Sequence, residues 1–519
     1  MSAPTTATAE PMTHRQVLEA LSGLLLVLFV AMISSTVVSV ALPQIVGALK
    51  GSQSQYTWVV TASLLAATVS TPIWGRLADL FDKKLLIQIS IVIFTLASLA
   101  CGFAQNTEQL IAFRAVQGLG MGAVQVLVQV VIAAMISPKE RGRYNGYLGG
   151  VMAVSTVGGP LLGGFIAGTP WLGWRWCFFV AVPFTVVAFA LLRKTLHVTT
   201  VRRTDVKIDY AGATLIAAGV SVLLIWVTFV GNSFDWLSWQ TAAMAGGGLV
   251  LLALATLVEA RAPQPVVPLK VIRRRTPALA IVASLAVGMA MFGGAVFLGQ
   301  YFQIGRGYSP TEAGLLTIPM MAGVLLTSTI SGRMISRSGN VKPYILTGSI
   351  VLTAGFLVMS TMDHQTSLFL ITAGMLLVGA GVGMSMQNLV LVIQNTVPLH
   401  ELGAASGAIT FFRSLGGTIG VSVLGAILAG QVATNITQGL TKAGIPASGG
   451  GASLDIAALP GPVKTIVRAA YGDATGHIFL ISAGIAAIGI IAALFLKPAK
   501  LRDTVDLRPA ADEEPARSA

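Results

Sequence analysis

The sequence predicts an all-α polytopic membrane protein with fourteen transmembrane helices, and three observations carry that reading. Of 519 residues, 54% are hydrophobic and 10% charged, against about 25% charged in soluble domains. Mean hydropathy is +0.80. Apolar stretches of helical length recur from one end of the chain to the other, and a helix needs about 20 apolar residues to cross the hydrocarbon core.

Residues 1–16 form a polar tail rich in Ala and Thr, without the basic start and cleavage site of a secretory signal. The spans then fall at 20–42, 57–75, 85–104, 109–132, 144–168, 176–195, 210–230, 240–258, 278–302, 313–332, 343–361, 367–391, 403–430 and 477–496. Barrel strands would be about ten residues long with alternating polarity, a pattern these stretches lack. The glycine-rich segment 431–474 reads as a flexible loop with a short surface helix at Val463–Tyr471. The mixed-charge tail from residue 500 reads as disordered.

Basic residues orient the bundle. Of 33 Lys and Arg, 25 fall on the side of the two termini, and 6 on the other: Lys50, Arg175, Arg306, Lys442, Lys464 and Arg468. Such an excess marks cytoplasmic segments, which places both termini in the cytoplasm and the protein in the cell membrane. The same excess explains the net charge of +13 and the pI near 10.0. Nucleic acid is excluded, because no basic stretch carries interleaved aromatics. The remaining two, Arg114 and Arg413, lie inside spans.

The chain repeats. A shift of 261 residues lays Gly118-Leu119-Gly120-Met121-Gly122 on Gly379-Ala380-Gly381-Val382-Gly383. It also pairs Glu140 with Glu401, Gly142 with Gly403, Gly146 with Gly407, Gly159 with Gly420 and Gly164 with Gly425. Spans 4 and 5 thus recur as spans 12 and 13. Two six-helix halves, 17–195 and 277–497, flank a segment 196–276 that carries spans 7 and 8, with tails at 1–16 and 498–519.

Several short patterns carry chemistry. After span 2 stands Gly75-Arg76-Leu77-Ala78-Asp79-Leu80-Phe81-Asp82-Lys83-Lys84. Gly75 lets two helices approach closely, and Asp79 can meet a helix N-terminus or pair with a cation such as Lys83, a gate that breaks and remakes. The alternative is an ordinary orienting loop. Span 4 holds Arg114-Ala115-Val116-Gln117-Gly118, with an arginine that either serves the transport path or snorkels to the outer surface. Span 5 holds Gly158-Gly159-Pro160-Leu161-Leu162-Gly163-Gly164. Pro160 frees a backbone hydrogen bond and bends the helix, while Gly159, Gly163 and Gly164 allow tight packing against the facing half. Arg413 lies about 16 Å into span 13, at 1.5 Å per residue, and an ionisable group that deep is a functional candidate. Gln125, Gln129, Gln387 and Asn388 offer hydrogen bonds either to a central cavity or between helices.

With Trp174-Arg175-Trp176, Gln394-Asn395-Thr396-Val397-Pro398 and Phe412-Arg413-Ser414-Leu415-Gly416-Gly417, these motifs resemble the fourteen-span drug:proton antiporter family of the major facilitator superfamily, over nearly the whole chain. The resemblance implies the major facilitator fold, two six-helix bundles plus two extra helices between them. It implies a monomer in the lipid bilayer that exports amphipathic small molecules, drugs or antibiotics, by alternating access in exchange for protons. Export of one endogenous metabolite, antibiotic or lipid stays open, as does a non-transporting sensor. The chain departs from the family pattern at Leu80 (for Arg), Asp82 (for Gly), Ser155 (for Gly) and, in span 1, Ser34 for the expected Asp.

That last departure matters for coupling. No Asp or Glu lies within the fourteen spans as drawn; Glu19, Asp79, Glu108, Glu259, Glu312 and Glu401 sit at span ends or in loops. Serine does not titrate and arginine stays charged, so a coupling carboxylate must come from a span end, Asp79 or Glu108. Two arginines without carboxylates make the interior electropositive and favour neutral, zwitterionic or anionic cargo. An anion leaving a cell at about −100 mV gains roughly 2.3 kcal/mol. No catalytic, cofactor or metal site is legible: no glycine run precedes Lys-Ser/Thr, and His400-Glu401 lacks a second His. Cys101 and Cys177 form no disulfide framework and are expected to face the outer side, where a thiol reagent should reach at least one of them unless both are packed.

Overall fold

The computed structural model describes residues 14–50, 53–169, 171–196, 209–231, 234–262, 265–267, 269–444, 461–498 and 500–504. Within them fourteen helices are long and apolar enough to cross a membrane. The first half comprises α1 (His14–Ala48), α2 (Gln53–Leu80), α3 (Lys83–Gly102), α4 (Thr107–Met135), α5 (Pro138–Gly168), and a sixth crossing built from α6 (Trp176–Phe179) and α7 (Ala181–Thr195). An extra pair follows, α8 (Tyr210–Phe229) and α9 (Trp239–Arg261), and then the short α10 (Leu269–Ile272). The second half comprises α11 (Arg275–Gln300, running into a π-helical turn Tyr301–Gly305), α12 (Pro310–Leu316) with α13 (Ile318–Ser338), α14 (Lys342–Met359), α15 (Leu368–Thr396), α16 (Leu402–Lys442) and α17 (Gly461–Phe495). The end of the bundle where α1 begins and α17 ends is termed the base.

Local chemistry sets the helix ends. Asp82 caps α3 by accepting from Leu85 N at 3.0 Å, and Asn106 caps α4 by accepting from Gln109 N at 2.8 Å. Ser309 and Glu312 form a reciprocal capping box on α12. Gly339, at φ 68°, closes α13 in the left-handed conformation. The basic run after α4 is not a loop. Pro138 opens α5 six residues before the apolar stretch begins, as its fixed φ and missing N–H allow.

Each half has its own core, around Phe94, Leu127 and Val131 in the first and Phe356, Leu389 and Phe479 in the second. The extra pair adds a satellite cluster in which Ile216, Val220 and Leu224 of α8 and Ala255 of α9 meet Phe411 of α16 and Leu65, Val69 and Ile73 of α2. It therefore lies along the α2/α16 side of the molecule.

The distal end corrects the loop expected at 431–474. α16 continues to Lys442 and α17 starts at Gly461, so the helix expected at Val463–Tyr471 is the first part of the last crossing. Val432 and Ile436 pack with Tyr471, Ala474 and Ile478, which gives these extensions an apolar face that hydropathy averaging hides. Residues 445–460 lie outside the described residues, as do 1–13 and 505–519 of the expected tails. Lys500–Thr504, expected to be disordered, are held against the base.

Candidate functional site

At the base the halves meet along two seams, and both are built on glycine. In the first, α2 crosses α16. Gly75 lies against Gly403 and Gly407, so closely that a Cβ on it would strike the Gly403 carbonyl oxygen. The Asp79 carboxylate, buried one turn on, accepts from Gly403 N and Ala404 N, both at 2.7 Å. These are orphan donors in the first turn of α16, where the helix dipole also favours an anion. Arg76 Nη1 stands 3.9 Å from Asp79 Oδ2. Lys83 opens α3 just behind, with no acid within 4.0 Å among the described residues.

In the second seam α5 crosses α13. Gly142 lies against Gly332 and Ser336, Gly146 against Thr329, and Gly149 against Ser328. Arg141 is buried, 3% exposed. Its Nε donates to Ile136 O at 2.8 Å, Nη2 to Ala133 O at 2.7 Å, and Nη1 crosses to Gln394 Oε1 of the other half at 2.9 Å. Asn145 Nδ2 crosses likewise to Asn388 Oδ1 at 3.1 Å.

Gly159 and Gly163 do not make the contact expected with the facing half. Gly159 packs on Thr36 and Gly163 on Val37, both of α1 in the same half, and Thr36 Oγ1 donates to Ser155 O at 3.1 Å. Gly164 is half-buried; Pro160 falls within α5, its side chain outside the described ones. The reason is geometric. Glycines mark a close crossing without saying which helix crosses.

Arg114 does not snorkel. It is buried and donates from Nη1 to Gln117 Oε1 at 2.6 Å and from Nε to Val59 O at 3.4 Å, while Gln117 Nε2 donates to Ser98 Oγ at 2.8 Å. This chain ties α4 to α2 and α3 within the first half. Arg413 differs. It is 5% exposed, its enclosed Nη1 has no hydrogen-bond partner, and no carboxylate stands at ion-pair distance among the described residues. Gly288 of α11 crosses directly over its backbone. Neither interior arginine meets a carboxylate among the described residues; Arg114 is held by neutral acceptors, whereas Arg413 Nη1 has no partner. Ser34 is buried, its Oγ and Gln129 Oε1 have no hydrogen-bond partner among the described residues, and Gln387 is half-buried. Of the two roles open to Asn388, a central cavity or a bond between helices, the structure shows the second, at the α5/α13 seam.

The profile of the Major Facilitator Superfamily matches residues 24–421. The chain belongs to that superfamily. Among relatives, it is 31% identical to the multidrug transporter protein MdtP of Bacillus subtilis (strain 168) over 93% of both chains. It is 34% identical to the MFS-type transporter Rv1877 of Mycobacterium tuberculosis (strain ATCC 25618 / H37Rv), covering 92% of this chain and 69% of that one. The human organic anion transporter MFSD10 (TETRAN) shares the fold, with a TM-score of 0.60 at 13% identity, covering 91% of this chain and 99% of that one. The molecule is accordingly a multi-pass membrane transporter of the facilitator fold with small-molecule substrates.

For this facilitator, sequence reasoning missed Arg141, Asn145 and Arg502. Arg141 lies between Lys139 and Arg143 and reads as one of three orienting charges. The 261-residue repeat held the signal, because it pairs Arg141 with the apolar Leu402, as a buried position would. Cys101 and Cys177 are both fully buried, so packing closes off the two thiols of which at least one was expected to be reachable.

Proposed function

We propose that this transporter exports amphipathic small molecules, drugs and antibiotics among them, across the cytoplasmic membrane by alternating access, as a monomer with both termini in the cytoplasm. The two glycine seams carry the reading. Small residues and a few polar bonds let rigid halves part and re-form at the base without unpacking either core. The relative named as a multidrug transporter supports the cargo class.

Proton antiport is the coupling we favour, through Asp79. Parting the first seam removes both amide donors from its carboxylate, and a proton can replace them. Glu108, the other candidate, is exposed in the first turn of α4, away from the seams. A second reading, potential-driven export of an anionic metabolite, is favoured by Arg413, which has no carboxylate beside it.

The test is substrate-driven proton movement in reconstituted vesicles, with and without an imposed potential. Proton counterflow that is lost in Asp79→Asn supports antiport. Anion export that follows the potential without proton movement selects the second reading. Absence of any substrate flux overturns both.

A further inference from the structure

The repeat is broken at two positions in the base, and the end of the chain stands at both. The offset of 261 pairs Ala133 with Gln394 and Ile136 with Val397. In the first half, the Ala133 and Ile136 carbonyls at the end of α4 accept from Arg141. The residue equivalent to Arg141 is Leu402, which cannot donate from its side chain. The Gln394 and Val397 carbonyls accept instead from Arg502 Nη2, at 2.8 and 3.1 Å.

The second break is at the acid. Gly403 packs against Gly75 and Asp79, and its repeat partner Gly142 packs against Gly332 and Ser336. Ser336 is therefore the counterpart of Asp79. Its Oγ has no hydrogen-bond partner among the described residues, so it gives the first turn of α5 nothing like the two bonds that Asp79 gives α16. The tail meets that turn instead. Arg502 O accepts from Lys139 N at 3.2 Å, and Asp503 Oδ1 pairs with Lys139 Nζ at 2.9 Å.

The strap is carried by the second half. Arg502 N donates to Asn395 Oδ1 at 3.0 Å, Asn395 Nδ2 to Lys500 O at 3.2 Å, and Leu501 N to Gly339 O at 2.8 Å. On the first half it meets Lys139 through a backbone hydrogen bond and an ion pair. We propose that Lys500–Asp503 is a latch on the α5/α13 seam, supplying from the chain end the arginine and the acceptors that the second repeat lacks at 402 and 336. Engaged, it favours the state closed at the base. Opening the base requires Lys139 to leave it.

The proposal rests on alternating access but not on any cargo, so its test reads conformation rather than transport. Spin labels at Arg143→Cys and Arg337→Cys, exposed positions on α5 and α13, report the distance across the seam in the purified full chain. Asp503→Lys and Lys139→Asp should each raise the long-distance population about two- to five-fold, the scale of an exposed ion pair. Combining them should return it to the starting level. Arg502→Ala, and a chain ended after residue 499, should raise it about tenfold. Neither charge reversal threatens folding, since both side chains are partly exposed. Unchanged distributions in Asp503→Lys and in the shortened chain overturn the latch, as does a double reversal that restores nothing.

Discussion

Gly142 and Gly332 meet backbone to backbone, each placed so that a Cβ on either would run into the carbonyl oxygen of the other. No side chain can be accommodated there without moving a helix. Gly142→Leu should hold the seam apart and cut efflux in vesicles about ten- to hundredfold at normal membrane abundance, since overpacking costs about 1–3 kcal/mol. Gly146→Ala, which meets the rotatable Thr329 side chain, should be milder. Wild-type efflux by Gly142→Leu would refute a seam that must close.

The first seam depends on charge as well as size. Hydrogen bonds to a charged group contribute about 1.5–3 kcal/mol each, and Asp79 makes two across the seam. Asp79→Asn keeps one acceptor but turns an amide toward donors. It should open the base and slow efflux more than tenfold, read by the label pair across α5 and α13 and by transport. Asp79→Ala should go further. Equal closure in all three proteins would reduce Asp79 to a helix cap.

The spans were legible because hydropathy alone places a helix in a bilayer, and the repeat exposed the two halves. Asp79 was legible too, its spacing from Gly75 setting both on one helix face. The partners of α5 were not, since nothing local distinguishes a glycine facing α1 from one facing α13. Arg502 was hidden by a different effect. A mixed-charge tail has no apolar pattern, and its order comes from carbonyls at the end of α15, a hundred residues away in sequence.

Arg413→Ala should abolish export while leaving the protein in the membrane. Arg413→Lys should recover little, because lysine lacks the planar fork. Immunodetection in membranes, together with efflux, separates lost function from lost protein. Full export by the alanine variant would make Arg413 a packing residue.

Cargo charge follows from the same residue. Wild type should export anionic or zwitterionic amphiphiles in preference to matched monovalent cations, and Ser34→Asp, which adds a carboxylate in a buried position, should move the preference toward cations. Paired vesicle assays with cationic and anionic analogues measure this. Equal export of both charges by wild type, or no shift on substitution, would contradict it.

Cys101 and Cys177 should resist a maleimide applied to either face of the folded protein and react only after denaturation, as mass spectrometry can count. Both are fully enclosed. Rapid modification of the native protein would mean that the distal ends of α3 and α6 open far more than their packing implies.

The unbroken 41 residues of α16 have a consequence for seeing this molecule. At 1.5 Å per residue the helix is about 61 Å long, and even inclined by about 40° it covers roughly 47 Å, beyond a hydrocarbon layer of about 30 Å. Its excess length at the distal end, packed against α17, would stand as a post beyond a detergent belt of that thickness. Small transporters usually lack such a feature for particle alignment in electron microscopy, and an antibody fragment raised against this post would mark the distal face in every view.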